Sequence, residues 1–426
     1  MSRRQKVLII TSSGGGGLLQ AANAKEQEIL AQDPNATVLQ RDVMKDWAWA
    51  KLGQYSVNRW NRAQLRGDVK EQSSLGASVP IADYLFWLPI FFCALYTLFR
   101  EEIDRVIDTQ VLGTSATLKA IRLYNRWKKK QLYLEKVLVD LPTKKAIHFF
   151  KPISLLNPQD RKTLRLVTIA PLLDPGQTAE EFWKHHCKLA PEQLQYEDYY
   201  VRKAFVAYRG KQRTHKSFAV KVRFQNPEEL EYILQSVHRG SGDCEVSDGA
   251  VRFKIPPSAL LFTFLLGSQP AGGATFQYAM QCMKSVGDRP VYAFIFCAKH
   301  DVGKDSLLRR VSEAVHQCDA YPKNLTIVPM SFQSDDVIAP LFFRSDMTCT
   351  RSGGQTAMEL MSVSSGAIWI HSEAKIGSTP LTEEELLAGI PGWESANAVY
   401  LQQMRGAKIV TTETIGPLIK ELAASK

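Results

Sequence analysis

Short apolar runs closed by turn-forming residues recur along the chain, with room for a helix between successive runs. Val7-Leu8-Ile9-Ile10 leads into Thr11-Ser12-Ser13 and four glycines, Gly14 to Gly17, then a helix-type segment from Leu18 to Gln32. Runs without a polar face are what strands need when helices cover both sides of a parallel sheet. Thr37 to Gln40 reads as a second strand ending at Asp42, Asp104 to Gln110 as a strand and turn, and Ser115 to Lys130 as a helix. Lys136 to Thr143 reads as a strand whose carboxyl end delivers Asp140 and Thr143. A second series follows at Ala259 to Leu266, Val291 to Cys297, Leu325 to Pro329, Ala367 to His371 and Lys408 to Val410. Its helices are expected at Ser306 to Cys318, after a loop from Ile390 to Ala398 as far as Met404, and at Gly416 to Ala424. The pattern predicts an α/β chain of two doubly wound domains whose ligand sits at the carboxyl ends of the strands.

The expected domains are 1–205 and 257–426, with an insertion and connection at 206–256. Residues 151–256 are charged, punctuated by turns and hard to read, apart from a strand-like stretch from Ser217 to Phe224. Length agrees with two cores, since 426 residues exceed what one ordinary core holds.

The segment Ser345-Asp346 to Glu359-Leu360-Met361 reads as strand, glycine turn and helix start. Such a turn lets the backbone approach a ligand, and the free N–H groups of the following helix favour an anion. A diphosphate would sit there, with Thr356 bonding an oxygen and Glu359 accepting the two hydroxyls of a ribose. An ordinary αβ connection has the same composition. The amino-terminal glycines fit neither the dinucleotide fingerprint nor the Walker loop, because Leu19 stands where a third glycine would fall and no Gly-Lys-Ser/Thr follows.

Tyr84 to Phe99 carries no charge, yet it is shorter than a spanning helix needs and contains Pro89. It is either a buried core helix or an element lying in a bilayer surface. Its aromatic content, with Trp87, Phe91 and Phe92, and the basic residues that follow, among them Lys128, Lys129 and Lys130, favour an anionic membrane. The net charge of +10 agrees with an anionic partner without choosing one. Seven scattered cysteines suit a reducing compartment, and the amino terminus lacks the apolar length of a signal peptide, so a cytoplasmic, membrane-peripheral protein is expected. His185-His186-Cys187 is not expected to hold a metal, since neighbours on a helix point apart.

Ser12-Ser13-Gly14-Gly15-Gly16-Gly17 with Ala21-Ala22-x-Ala24, Val139-Asp140-Leu141-Pro142-Thr143, Gly267-Ser268-Gln269-Pro270, Ser345-Asp346 to Glu359-Leu360, and the weaker Asp336-x-Ile338-Ala339 and Glu394-x-x-Asn397-Ala398 come in a telling order. The chain thereby resembles two-Rossmann (GT-B fold) glycosyltransferases of the family that holds the monogalactosyldiacylglycerol synthases, processive diacylglycerol glucosyltransferases and the lipid-II-forming N-acetylglucosaminyltransferase. The resemblance implies inverting transfer from a nucleotide-sugar, usually a UDP-sugar, to a lipid or other glycan acceptor at an anionic membrane, with no catalytic metal or cofactor; nucleic acid is not expected, because the basic residues are not interleaved in a recognised module. It implies a donor site of Gly267, Ser268, Gln269, Arg351, Ser352, Gly353, Gly354, Gln355, Thr356, Glu359, Glu394 and Asn397, and an acceptor-side loop of Ser13 to Gly17. The family's glycine turn ends in a histidine that activates the acceptor, and Leu18 stands at that position. Asp140 or His148 would then take the proton. A nucleotide-sugar epimerase of the same fold and a catalytically altered membrane-binding protein are the alternatives.

Overall fold

The computed structural model describes residues 4–14, 16–214, 216–375, 377 and 380–424. Its first sheet holds β1 (Lys6–Thr11), β2 (Thr37–Asp42), β3 (Arg105–Asp108), β4 (Leu134–Val137), β5 (Leu164–Thr168) and β6 (Leu194–Tyr196), all parallel, in the order β2-β1-β3-β4-β5-β6. A small antiparallel sheet, β7 (Phe218–Arg223), β8 (Cys244–Ser247) and β9 (Ala250–Ile255), is ordered β7-β9-β8. The second large sheet is parallel, with β10 (Leu260–Leu265), β11 (Val291–Phe296), β12 (Leu325–Met330), β13 (Met347–Thr350), β14 (Ala367–His371) and β15 (Lys408–Val410) in the order β12-β11-β10-β13-β14-β15. This is the GT-B arrangement. Every residue of β10, β11 and β12 is buried, as helices on both faces demand.

Several sequence expectations shift. The strand expected over Lys136 to Thr143 ends at Val137, and Asp140 lies in the loop beyond. That loop turns towards the second domain, where Asn397 Oδ1 accepts the Leu141 N–H at 2.6 Å and so replaces a ladder bond. The loop expected from Ile390 to Ala398 is instead the start of the helix Gly392–Arg405, with Pro391 at its cap, so Glu394 and Asn397 project from helical turns. The apolar run is part of a 23-residue helix, Val79–Glu101. Asp83 does not bound it, because its carboxylate accepts the Gly113 N–H at 2.6 Å inside the fold.

Residues 151–256 split three ways. β5 and β6 complete the first sheet, while residues 199–213 form a strap between the domains. The small sheet and the helix Pro227–Val237 pack on the second domain through the Phe253 and Phe294 rings, 5.7 Å apart, and Ser331 Oγ donating to Glu229 at 2.8 Å.

Candidate functional site

In each large sheet the strand order reverses beside the first strand, between β1 and β3 and between β10 and β13, and ligands bind at such switch points. The loops after β1, β10 and β13 meet in the cleft. Gly16 adopts a left-handed φ of 76° and touches the second domain; a Cβ there would stand 2.6 Å from Ser268 Oγ. Gly354 packs against the first domain, where a Cβ would fall 2.2 Å from the Val139 carbonyl oxygen and 2.5 Å from Asp140 Oδ1. Of the glycine pair expected beside a diphosphate, Gly354 makes room for the other domain, while Gly353 has nothing within 4 Å of the Cβ position. Gly15 lies outside the described residues.

On one side of these contacts is a cavity of ≈ 120 Å³ whose lining includes Gly267, Ser268, Gln269, Gly353, Gln355 and Thr356. The helix Gly354–Val363 begins there without a side-chain cap, so its first N–H groups can serve an anion. Glu359 also lines the cavity but does not present open acceptors. Arg202 Nε and Nη2 donate to its two oxygens at 2.7 and 2.9 Å, and Gln355 Nε2 donates to Oε1 at 3.1 Å. Arg351 is likewise compensated, donating to both Glu394 oxygens at 3.0 and 3.1 Å and to Gln72 Oε1 at 2.8 Å. Burial nevertheless pushes the Glu394 carboxyl above its ordinary range, against the pull of Arg351. Ser352 turns inward, its hydroxyl donating to the Glu394 carbonyl at 2.7 Å. Nine of the twelve expected donor residues line this cavity, and the charges of three of them, Arg351, Glu359 and Glu394, are balanced within the protein. Ser352 and Asn397 are spent on hydrogen bonds inside the fold, and Gly354 faces the other domain. Arg202 and Gln72 were invisible to motif reading, since each acts only through a partner far away in sequence.

On the other side is a cavity of ≈ 270 Å³ with largely apolar walls, among them Leu18, Met44, Val57, Leu112, Phe149 and Trp393. Leu18 occupies this wall where the resemblance expects a histidine. Asp140 and His148, considered separately in the sequence, form one pair: His148 Nε2 lies 2.8 Å from Asp140 Oδ2. Asp140 Oδ1 accepts from Asn397 Nδ2 at 2.8 Å, so a residue of the second domain fixes the carboxylate that faces the imidazole. Trp60 and Trp393 stack across the cleft, with ring centroids 4.8 Å apart.

The helix Val79–Glu101 buries Phe86, Ile90, Ala94 and Leu98 and exposes Ile81, Tyr84, Leu85, Leu88, Phe92 and Tyr96, which share one face. Tyr84 is 83% exposed. By length and composition this helix is apolar enough to cross a membrane, though its inner face packs on the protein. Trp87 and Phe91, expected to face lipid, are half-buried and stack on each other at 5.3 Å, with Trp87 Nε1 donating to Ser115 at 3.4 Å. Of the basic cluster, Lys128 pairs with Glu102 at 3.6 Å and Lys130 with Asp104 at 3.0 Å. Lys129 is exposed. A second basic surface, unread in the sequence, is the helix Ala50–Arg66, which carries Lys51, Arg62 and Arg66, with Arg59 paired to Glu71 at 2.9 Å, and Trp49, Leu52 and Tyr55 are exposed on or beside it.

No family model and no curated protein matches this chain. Among solved structures it is similar to MurG of Acinetobacter baumannii, at 13% identity and a TM-score of 0.44 over 99% of this chain and 90% of that one. It is also similar to Arabidopsis thaliana UGT89C1 complexed with UDP-L-rhamnose, at 10% identity and a TM-score of 0.48 over 99% of this chain and 91% of that one. A third is the UDP-GlcNAc 2-epimerase of Neisseria meningitidis bound to UDP-GlcNAc, at 9% identity and a TM-score of 0.37, covering 99% and 95%.

Proposed function

We propose that the chain is a glycosyltransferase that moves a sugar from a nucleotide-sugar, a UDP-sugar by resemblance, to a hydroxyl of an apolar, membrane-associated acceptor. The observation that carries this reading is the Asp140–His148 pair, 2.8 Å apart on the wall of an apolar cavity beside the glycine turns. The acceptor oxygen attacks the anomeric carbon, the bond from that carbon to the diphosphate oxygen breaks with its electron pair leaving on the diphosphate, and the configuration inverts. His148 takes the hydroxyl proton on Nδ1, because Nε2–H is spent on Asp140, and Asp140 orients the ring as a positioning residue. The helix start at Gly354 and the glycine turns receive the diphosphate, a role that needs no metal ion.

The exposed face of Val79–Glu101 supports docking on a membrane surface, with the cationic helix Ala50–Arg66 beside it for anionic headgroups. Val79 and Ala82 also line the apolar cavity, so the same helix joins that surface to the place where the acceptor would react.

The test is a thermal-shift screen of UDP-, GDP- and dTDP-sugars, followed by transfer from the best binder to a lipid extract with the product's anomeric configuration read by NMR. An inverted glycolipid supports the reading. Epimerisation or hydrolysis of the donor without acceptor dependence, or no binding of any nucleotide-sugar, overturns it.

A further inference from the structure

Gln110 stands two residues beyond β3, buried in the wall of the cavity that holds His148. Its Oε1 accepts the N–H groups of Val111 at 2.7 Å and Leu112 at 3.3 Å, which fixes the amide in one orientation. The opposite end, Nε2, is buried with no hydrogen-bond partner among the described residues. Trp60 lines the same cavity, its ring held against Trp393, and its Nε1 is also buried without a partner among the described residues. Buried polar groups are nearly always paired, and an unspent donor in an apolar wall costs stability that a ligand can restore.

An amide NH₂ and an indole N–H only donate. Their complement is an oxygen with free lone pairs. We infer that Gln110 and Trp60 select, among apolar hydroxy compounds, those that carry a second, acceptor-only oxygen, such as an ester carbonyl or an ether. The inference rests on the proposed transfer only for which hydroxyl reacts; the recognition itself needs no donor.

Calorimetry with two probes of similar length tests it: 1-monodecanoylglycerol, which has the ester, and 1,2-dodecanediol, which lacks it. The parent protein should bind the ester compound about tenfold more tightly, as one well-placed hydrogen bond allows. Trp60→Phe keeps the ring and removes the N–H; Gln110→Glu keeps the acceptor that holds Val111 and Leu112 and removes the amide donor. Each should erase most of the preference and leave diol binding unchanged. Equal binding of both probes by the parent, or an intact preference in Trp60→Phe, overturns the inference, and the latter suffices if Gln110→Glu does not fold. A clear preference without transfer from any nucleotide-sugar would overturn the proposed reaction and leave the recognition standing; transfer without the preference would do the reverse.

Discussion

Arg202 grips Glu359 with both arms of its guanidinium, at 2.7 and 2.9 Å, reaching from the interdomain strap into the cavity expected to hold a nucleotide. A ribose diol can use that carboxylate only by displacing a buried bidentate partner. Removing one member of such a pair leaves the other charged and uncompensated, at about 3–5 kcal/mol.

Arg202→Ala should therefore lower the melting temperature of the free protein while binding UDP more tightly than the parent, because the diol then meets an open carboxylate. Glu359→Ala should lower both stability and UDP affinity. Calorimetry with UDP on both variants decides the matter; unchanged affinity in Glu359→Ala would remove this residue from the donor site.

The proposed base gives a second expectation. His148→Ala should reduce kcat by about 10²–10⁴-fold with donor saturating, the range a positioned base supplies, and leave UDP binding intact. Asp140→Asn should lower kcat by at least about tenfold, since the amide still fills the space but no longer holds the imidazole as a carboxylate does. Full turnover in His148→Ala would exclude it from the chemistry.

Gly354 separates closure of the domains from space for a ligand. Gly354→Ala should cost about 1–3 kcal/mol, the usual penalty of forced overpacking, because its methyl group collides with the Val139 carbonyl and the Asp140 carboxylate. Gly353→Ala meets nothing and should melt like the parent. Thermal melts compare the two, and equal stability would show that the domains yield freely at this seam.

For the membrane surface, Leu88→Glu with Phe92→Glu should abolish sedimentation with anionic vesicles without lowering the melting temperature, as both side chains are exposed. Changing Lys128, Lys129 and Lys130 to alanine should weaken it less, because Lys128 and Lys130 already pair with Glu102 and Asp104. Vesicle binding that survives the double glutamate change would move the docking face elsewhere.

The fold was legible wherever strands are apolar on both faces: Val7 to Ile10, Val291 to Cys297 and Ala367 to His371 announce themselves by composition, and their order carries the architecture. β5 and β6 were not, since Arg165 and Gln195 interrupt short runs near a sheet edge. The site was half legible. Glycine turns, an acid just beyond a strand and an acid one turn into a helix are local signals, so Asp140, Gly354 and Glu359 could be singled out. The pairing of Arg202 with Glu359, of Gln72 with Arg351 and of Asn397 with Asp140 spans 157, 279 and 257 positions and exists only once the two domains meet.

The strap fastens to the second domain at more than one point. Beyond Arg202, Arg209 Nε donates to Ser362 at 3.2 Å, Arg213 Nη1 donates to the Ser345 carbonyl at 2.7 Å, and the Phe205 ring lies 5.9 Å from that of Phe342. A cut at residue 205, where composition alone would divide the chain, runs through the middle of this fastening. The amino-terminal piece would keep Arg202 and Phe205 with nothing to hold, and the carboxyl-terminal piece would show Phe342 and the Glu359 carboxylate to water. Separately expressed halves divided there should be poorly soluble and should recover on mixing, whereas a division at about residue 198 would keep these fastenings to the second domain and give up the strap's contacts with the first, where the Lys203 N–H donates to Gln27 Oε1 at 2.7 Å and Lys25 lies over the Tyr200 ring.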